Sequence, residues 1–330
     1  MISKIKRLIT PRFWWKILNG PYANPNFQSF FEVSKLYEKF KVGVMISYVS
    51  ILGVGMSFLK RTLGEEGIVV YAPPPVLRAI DWLPVEVYFT LIYVTFFIST
   101  IAILIGSPKR VFKVLSFVSL VFIFAHSYGI THVRHASNCW IWLAFSFCFL
   151  PNEGLNVTRA VKMQYLSVCR FAALITLSVY TMSASWKVLE GIILASVEGE
   201  MSYLNPQSMS VLIASYITKH GYEPPLAEFV IANLWVSWPL ILGTIYMQLF
   251  AMVALFRPYI ISLWLIMILS FHILSIPLLN LPFNAQGIGA ALVLVAFPFM
   301  RMPNSMGQIV NSLPLVAESI VLLRKLKKTS

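Results

Sequence analysis

Long apolar segments recur along the whole chain, and each is close to the length of a membrane-spanning helix. A helix needs about 20 apolar residues to cross the hydrocarbon core of a bilayer. Six segments are clear and two are weaker: 41–60, 86–106, 111–130, 164–187, 237–256 and 259–281, then 135–155 and 284–301. The sequence therefore predicts an all-α fold, a polytopic integral membrane bundle with about eight transmembrane segments.

The composition excludes the ordinary soluble classes. Hydrophobic residues make up 58% of the chain and charged residues only 12%, which lies outside the range of soluble globular domains. The net charge of +13 comes from basic residues between the apolar runs rather than from a stripe with interleaved aromatics, so no nucleic-acid partner is expected. Cys139, Cys148 and Cys169 lie inside apolar stretches without metal-ligand spacing and are interpreted as small core residues.

The basic residues also predict an orientation. With eight crossings and the N-terminus inside, 19 of the 26 Lys and Arg residues fall on the inner side, as expected for cytoplasmic loops. Nine of the 13 acidic residues fall on the outer side. We therefore predict an integral membrane protein with both termini in the cytoplasm and the lipid bilayer as its constant partner.

Three regions are predicted along the chain. Residues 1–40 form a basic, aromatic segment that is interpreted as an amphipathic helix on the inner leaflet. Residues 41–301 form the membrane domain, and 302–330 form a basic cytoplasmic tail. Two long outer loops, 61–85 and 188–236, interrupt the membrane domain, and the second contains amphipathic stretches around Ser208–Thr218 and Ala227–Asn233. Long loops of this kind are commonly functional.

Lys187 is the first candidate for chemistry. It is predicted to close the fifth transmembrane helix, in the segment Tyr180 to Glu190. One interpretation is structural, with the amine reaching the headgroups or pairing with Glu190. The other is a partly desolvated amine that serves as a general base.

Histidines supply the remaining candidates. His135 stands where an outer loop enters the fourth helix. The i,i+3 spacing of His132 and His135 would let both bind one metal ion, so a metal site is an alternative interpretation. Only His126 offers a local third ligand, so no metal is expected. His272 is predicted in the outer half of the bilayer, close to a kink at Pro277 that favours a cavity. Alone, it would be interpreted as structural.

The candidates are predicted to lie at a similar depth in the membrane. Under the predicted topology, Lys187, His135 and His272 all fall near the outer third of the membrane. Two further polar groups receive structural interpretations. Gln248 is expected to hydrogen-bond between helices, and Arg170 is expected to reach toward the inner headgroups.

Short motifs in the chain resemble a known family. The segment Tyr180 to Glu190 resembles the part of vitamin K-dependent γ-glutamyl carboxylases that presents their catalytic lysine, and Arg134 to Asn138 is similar to the family's histidine at a helix start. The segments 255–258, 271–272 and 287–289 are similar to its next characteristic stretches. Together these motifs cover roughly 40–300 in order. The chain thus resembles the HTTM membrane domain, in a short form similar to the sporulation-delaying toxin maturation membrane protein.

The resemblance implies an activity. It implies that Lys187 is the base that deprotonates a reduced, vitamin K-like quinone, while His135 and His272 form hydrogen bonds or stabilise charge. In the carboxylases a large extracytoplasmic domain holds the protein substrate, whereas this chain ends soon after Met300. The outer loops, or a partner protein, would then bind a peptide or small substrate.

Two functions are carried forward. The leading one is a membrane-embedded enzyme that acts at the outer face. The alternative is a non-catalytic membrane partner in peptide-toxin maturation or export, or a structural subunit of a membrane complex. A transporter ranks third, because the sequence shows neither an inverted repeat nor paired broken helices.

Overall fold

A computed structural model describes residues 30–64, 85–107, 109–130, 138–152, 157–195, 197, 202–257, 259–279 and 305–329. These residues form helices and turns, and none of them lies in a β-strand, so the all-α class is confirmed for the described part of the chain. The chain divides into two compact units, with the boundary between Thr176 and Leu177. Residues 1–29 of the predicted N-terminal segment 1–40, residues 65–84 of the predicted outer loop 61–85 and the whole predicted transmembrane segment 284–301 lie outside the described residues.

The first unit contains the N-terminal helices. They are α1 (Phe30–Gly64), α2 (Val85–Leu104), α3 (Arg110–Ile130), α4 (Asn138–Phe147) and the first half of α5 (Arg159–Leu194). The second unit contains the rest of α5 and seven further described helices. These are α6 (Ser208–His220), α7 (Ala227–Ala232), α8 (Leu234–Leu249), α9 (Ala251–Ala254), α10 (Ile261–Leu279), α11 (Met306–Val310) and α12 (Val316–Thr329).

Among the described residues, four helices are long and apolar enough to cross a membrane. They are Val33–Lys60 within α1, Val87–Leu104 within α2, and the whole of α5 and α10. The predicted segment 111–130 coincides with α3, whereas the predicted segment 237–256 is divided at Phe250 between the shorter apolar α8 and α9. These lengths are compatible with a membrane protein.

The predicted segment 135–155 contains a much shorter helix. α4 has ten residues and ends at Phe147. Pro151 has no amide proton to donate to Phe147, and the carbonyl of Phe147 accepts from Leu150 instead, at 3.1 Å. The buried amine of Lys113 then donates to the carbonyls of Leu150 and Pro151, at 3.3 and 3.2 Å. A proline and a buried lysine therefore terminate this helix early.

Close packing holds α1 and α2 together. A Cβ atom on Gly55 of α1 would lie 2.2 Å from Cε1 of Phe96 on α2, a residue that is fully buried. Glycine at this position lets the aromatic ring lie against the backbone of α1. On the next helix pair, Thr100 and Ser116 share a buried hydrogen bond of 2.8 Å.

The predicted outer loop 188–236 is largely helical. α5 continues to Leu194 and does not close at Lys187 as predicted. The two amphipathic stretches form α6 and α7, and Gly221 caps α6 in the left-handed region at φ 65°. Their buried faces pack on α8 around Met209, Ile213 and Val230. Burial of these apolar faces explains why the segment folds back on the bundle.

The predicted basic tail is also packed. Ser312 and Ala317 are buried, and the hydroxyl of Tyr246 on α8 donates to the carbonyl of Pro314 at 2.8 Å. Arg257, which is 3% exposed, donates to the carbonyl of Ser312 at 3.1 Å and pairs with Glu318 on α12. Residues 312–318 of the predicted tail therefore pack within the second unit, whereas Leu322 and Leu323 beyond them are exposed.

Candidate functional site

Two of the three predicted site residues are described, and both lie in the second unit. Lys187 is on α5 and His272 is on α10. The third candidate, His135, lies outside the described residues, together with His132 and Arg134. The site is therefore built from the partners of Lys187 and His272.

One face of α5 carries the polar groups of the site. Tyr180, Ala184 and Lys187 follow one another at i, i+4 and i+7, so they project from the same side of the helix. Ala184 is fully buried, and its small side chain lets neighbouring helices approach between the two longer ones. This face is set by helical periodicity and was readable in the sequence.

Lys187 reaches a neutral amide on α8. Its Nζ donates to Oε1 of Gln248 at 2.9 Å, and Gln248 is only 5% exposed. The structural interpretations expected headgroup contact or a pair with Glu190, and the geometry contradicts both, because the amine points to a buried side chain of another helix. The interhelical hydrogen bond expected for Gln248 is confirmed.

His272 forms the second pair with α5. Its Nε2 lies 2.8 Å from the hydroxyl of Tyr180, and the tautomer decides which group donates. The imidazole is 5% exposed, and the hydroxyl of Ser275 donates to the backbone carbonyl of His272 at 2.7 Å. A phenol and an imidazole in this contact can exchange a proton.

The two pairs are separated along α5. Tyr180 and Lys187 are seven residues apart, which corresponds to a rise of about 10 Å in a helix. Lys187 and His272 therefore have different partners, and the single cluster expected from their common depth is replaced by two pairs on one helix face.

A mostly apolar cavity of about 280 Å³ lies between α8 and α10. Met247, Phe271 and Leu278 contribute to its wall, while Ser275 connects it to the backbone of His272. The cavity extends along α10 to Leu278 and Leu279, beside Pro277. It lies where the kink predicted at Pro277 favoured an opening.

Sequence reasoning did not identify Gln248 as the partner of Lys187 or Tyr180 as the partner of His272. Gln248 was expected to be a structural partner, and Tyr180 was quoted only as part of a motif. The i,i+7 spacing of Tyr180 and Lys187 was the available signal that Tyr180 lies on the same face of α5 as Lys187. No periodicity within one helix could have shown that Gln248 on α8 faces Lys187.

Metal-ligating groups do not gather in the described part of the second unit or elsewhere among the described residues. No three His, Cys, Asp or Glu side chains there lie close enough to hold an ion. The donor set that the structure brings together is an amine, an amide, a phenol and an imidazole. Such groups move protons and bind neutral polar ligands.

Comparison of the chain with protein-family models, with curated proteins and with solved structures finds no match.

Proposed function

We propose that this chain is a membrane-embedded enzyme of the HTTM type, which crosses the bacterial inner membrane eight times and keeps both termini in the cytoplasm. In this proposal residues 1–40 lie on the inner leaflet, and the enzyme acts at the outer face on a peptide or small substrate. The four membrane-length helices support the membrane location. The excess of basic residues on one side supports the orientation.

Exposed tryptophans support the proposed depth of the site. Trp186, beside Lys187, is 64% exposed, and Trp235 and Trp238 at the start of α8 are 73% and 43% exposed. Tryptophan is enriched where a membrane meets water. Lys187 then lies close to the outer interface, where a substrate from the outer side can reach it.

The observation that carries the enzymatic proposal is the contact between Lys187 and Gln248. A structural lysine inside a bundle is usually neutralised by a carboxylate, because an unpaired charge is costly there. Among the described residues, Lys187 is instead held by an uncharged acceptor. The amide orients the amine without taking its proton, and this leaves Nζ available for proton transfer to or from a substrate.

Tyr180 and His272 supply a second proton-transfer group on the same face of α5. Their hydrogen bond lets the imidazole hold a proton that the phenol passes on, or the reverse. The family resemblance adds His135 at the outer face as a further hydrogen-bonding group. In this proposal Lys187 is the base, and the two histidines stabilise the charge that develops.

A reduced quinone of the vitamin K class fits the residues present. The cavity beside His272 is walled largely by apolar side chains such as Met247 and Phe271, with the hydroxyl of Ser275 among them. These residues would hold an apolar ring. When bound, such a quinol supplies an acidic hydroxyl and a ring that reacts with oxygen. Lys187 and Gln248 do not line this cavity, so Lys187 would accept the proton at Nζ from a quinol hydroxyl that extends beyond it.

The proposal is tested with the full chain in lipid vesicles that contain vitamin K hydroquinone, oxygen, carbon-14 bicarbonate and glutamate-containing peptides. We expect quinol-dependent oxygen uptake above that of protein-free vesicles. Lys187→Met should lower this uptake by about 100-fold or more, the usual contribution of a general base. Lys219→Met is the matched control, because Lys219 is an exposed lysine on α6, and it should leave the rate unchanged.

The outcomes separate the two functions. Equal rates for the wild type and Lys187→Met would remove Lys187 as the base. Oxygen uptake no faster than in protein-free vesicles would contradict the proposed quinone cofactor. Unaltered cellular output of a matured peptide from Lys187→Met would favour the alternative of a non-catalytic partner in peptide-toxin maturation or export.

A further inference from the structure

The hydroxyl of Thr181 occupies the break between α8 and α9. Its Oγ1 accepts a hydrogen bond from the amide of Met252 and donates one to the carbonyl of Gln248, both at 3.3 Å. In an unbroken α-helix these two backbone groups would bond to each other, because the amide of residue i+4 donates to the carbonyl of residue i. A side chain of α5 therefore replaces one backbone hydrogen bond of the neighbouring helix.

Two backbone hydrogen bonds of helical spacing enclose this break, and within it the indole of Trp264 on α10 donates to the carbonyl of Met247 at 2.9 Å. The amide of Phe250 donates to Tyr246 at 3.1 Å, and the amide of Ala254 donates to Phe250 at 2.9 Å. Phe250 itself, at φ −97° and ψ 12°, has left the α-helical region. Insertion of a side chain into the hydrogen-bond ladder is a recognised cause of such a break.

The break determines where Gln248 points. Gln248 is the penultimate residue of α8, and its backbone carbonyl is held by Thr181 while its side chain accepts from Lys187. Thr181 and Lys187 belong to the same helix. α5 thus supplies both the amine and the hydroxyl that holds the amine's acceptor.

We propose that Thr181 is a positioning residue, whose inserted hydroxyl holds Gln248 opposite Lys187. Its relevance to catalysis rests on the proposed function, whereas its effect on the contact does not. Without the hydroxyl, Met252 can donate directly to the carbonyl of Gln248. The indole of Trp264 still holds the carbonyl of Met247, at 2.9 Å, so the break itself remains, but the backbone at Gln248 closes toward Met252 and turns the Gln248 side chain away from Lys187.

The contact is measured by solid-state NMR on the full chain in lipid vesicles. The observable is the dipolar coupling between lysine ¹⁵Nζ and glutamine ¹³Cδ, assigned to Lys187 by its loss in Lys187→Arg. We expect the coupling in the wild type and in Thr181→Ser, which keeps the hydroxyl. Thr181→Val and Thr181→Ala should lose it, and the alanine variant decides the result where valine prevents folding.

Thr176→Val is the matched control. Thr176 is a buried threonine on the same helix, and its hydroxyl donates within the helix to the carbonyl of Ala172 at 2.9 Å. Its replacement removes a hydroxyl that donates within α5, so the coupling should remain. If the valine and alanine variants of Thr181 both keep the wild-type coupling, the positioning role is overturned.

Activity separates this inference from the proposed function. Where the wild type shows Lys187-dependent oxygen uptake, Thr181→Val should lower the rate by about 10- to 100-fold, the cost of a small misplacement of catalytic groups. Thr181→Ser should restore it. If the Thr181 variants lose the coupling but the wild type shows no quinol-dependent oxygen uptake, the positioning role of Thr181 is supported and the proposed reaction is contradicted. If the Thr181 variants retain the coupling while oxygen uptake depends on Lys187, the positioning role of Thr181 is contradicted and the proposed function is not.

Discussion

At the scale of single residues, buried polar side chains connect helices that the sequence presents separately. Lys187 meets Gln248 over a separation of 61 positions, and Arg257 meets Ser312 over 55. In a low-dielectric interior each such donor needs an acceptor, because an unpaired buried donor costs more free energy than the hydrogen bond contributes. These contacts therefore specify which helix faces meet.

Arg257 provides a test at this scale. Arg257→Met removes the hydrogen bond to Ser312 and the pair with Glu318, so we expect the free energy of unfolding to fall by about 3 kcal/mol. Glu318→Gln should cost less, about 1 kcal/mol, because Glu318 is 39% exposed and solvent screens the pair. Thermal unfolding of the purified chain measures both effects.

The control for this pair is Glu223→Gln. It removes the same charge from an exposed residue between α6 and α7, so the melting temperature should not change. Limited proteolysis adds a local readout, since loosening of α12 should expose residues 305–329 to cleavage first. Equal stability of Arg257→Met and the wild type would contradict the anchoring of α12 by Arg257.

At the scale of helices, length and apolar periodicity predicted most of the described elements. The segments 86–106 and 259–281 correspond closely to α2 and α10, because a helix of this length satisfies all its backbone hydrogen bonds within one apolar segment. The ends were less predictable. α5 passes Lys187 and continues to Leu194, and α4 stops where Pro151 and Lys113 intervene.

Two glycines on α1 test helix packing. Gly55→Ala would place a Cβ 2.2 Å from the ring of Phe96, and overpacking of this kind costs about 1–3 kcal/mol. Gly53→Ala meets nothing within 4 Å, so the higher helix propensity of alanine should raise stability by up to about 1 kcal/mol. Thermal unfolding should therefore move in opposite directions for the two variants.

A second substitution checks the cause. Phe96→Leu in the Gly55→Ala background shortens the side chain that the new methyl group meets, so the melting temperature should recover in part. A loss of stability in Gly53→Ala equal to that in Gly55→Ala would show that helical glycine itself is required. In that case the close approach of α1 and α2 would not explain the position of Gly55.

At the scale of the whole molecule, orientation in the membrane follows from charge. We expect residue 219 to face outward and residue 109 to face inward, in agreement with the excess of basic residues on the inner side. Lys219 and Lys109 are both exposed, which makes each a suitable site for a labelling cysteine. The experiment uses a background in which Cys139, Cys148 and Cys169 are replaced by alanine.

In intact cells a membrane-impermeant maleimide should label Lys219→Cys and should not label Lys109→Cys until the cells are opened. The cysteine-free parent should remain unlabelled and controls for background reaction. Labelling of Lys109→Cys in intact cells, with Lys219→Cys protected, would reverse the orientation. The Lys187 site would then open to the cytoplasm and the proposed outer-face activity would fail.

The sequence by itself determined the helical class and the approximate position of most described helices, and it singled out Lys187 and His272 as candidates. Apolar run length, helical periodicity and the cost of burying a charge are local properties, and each is readable from neighbouring residues. Only the tertiary structure decided that Lys187 meets Gln248, that His272 meets Tyr180 and that Thr181 enters the break after α8. These contacts depend on how distant helices pack, and packing of side chains between helices is a property of the assembled bundle.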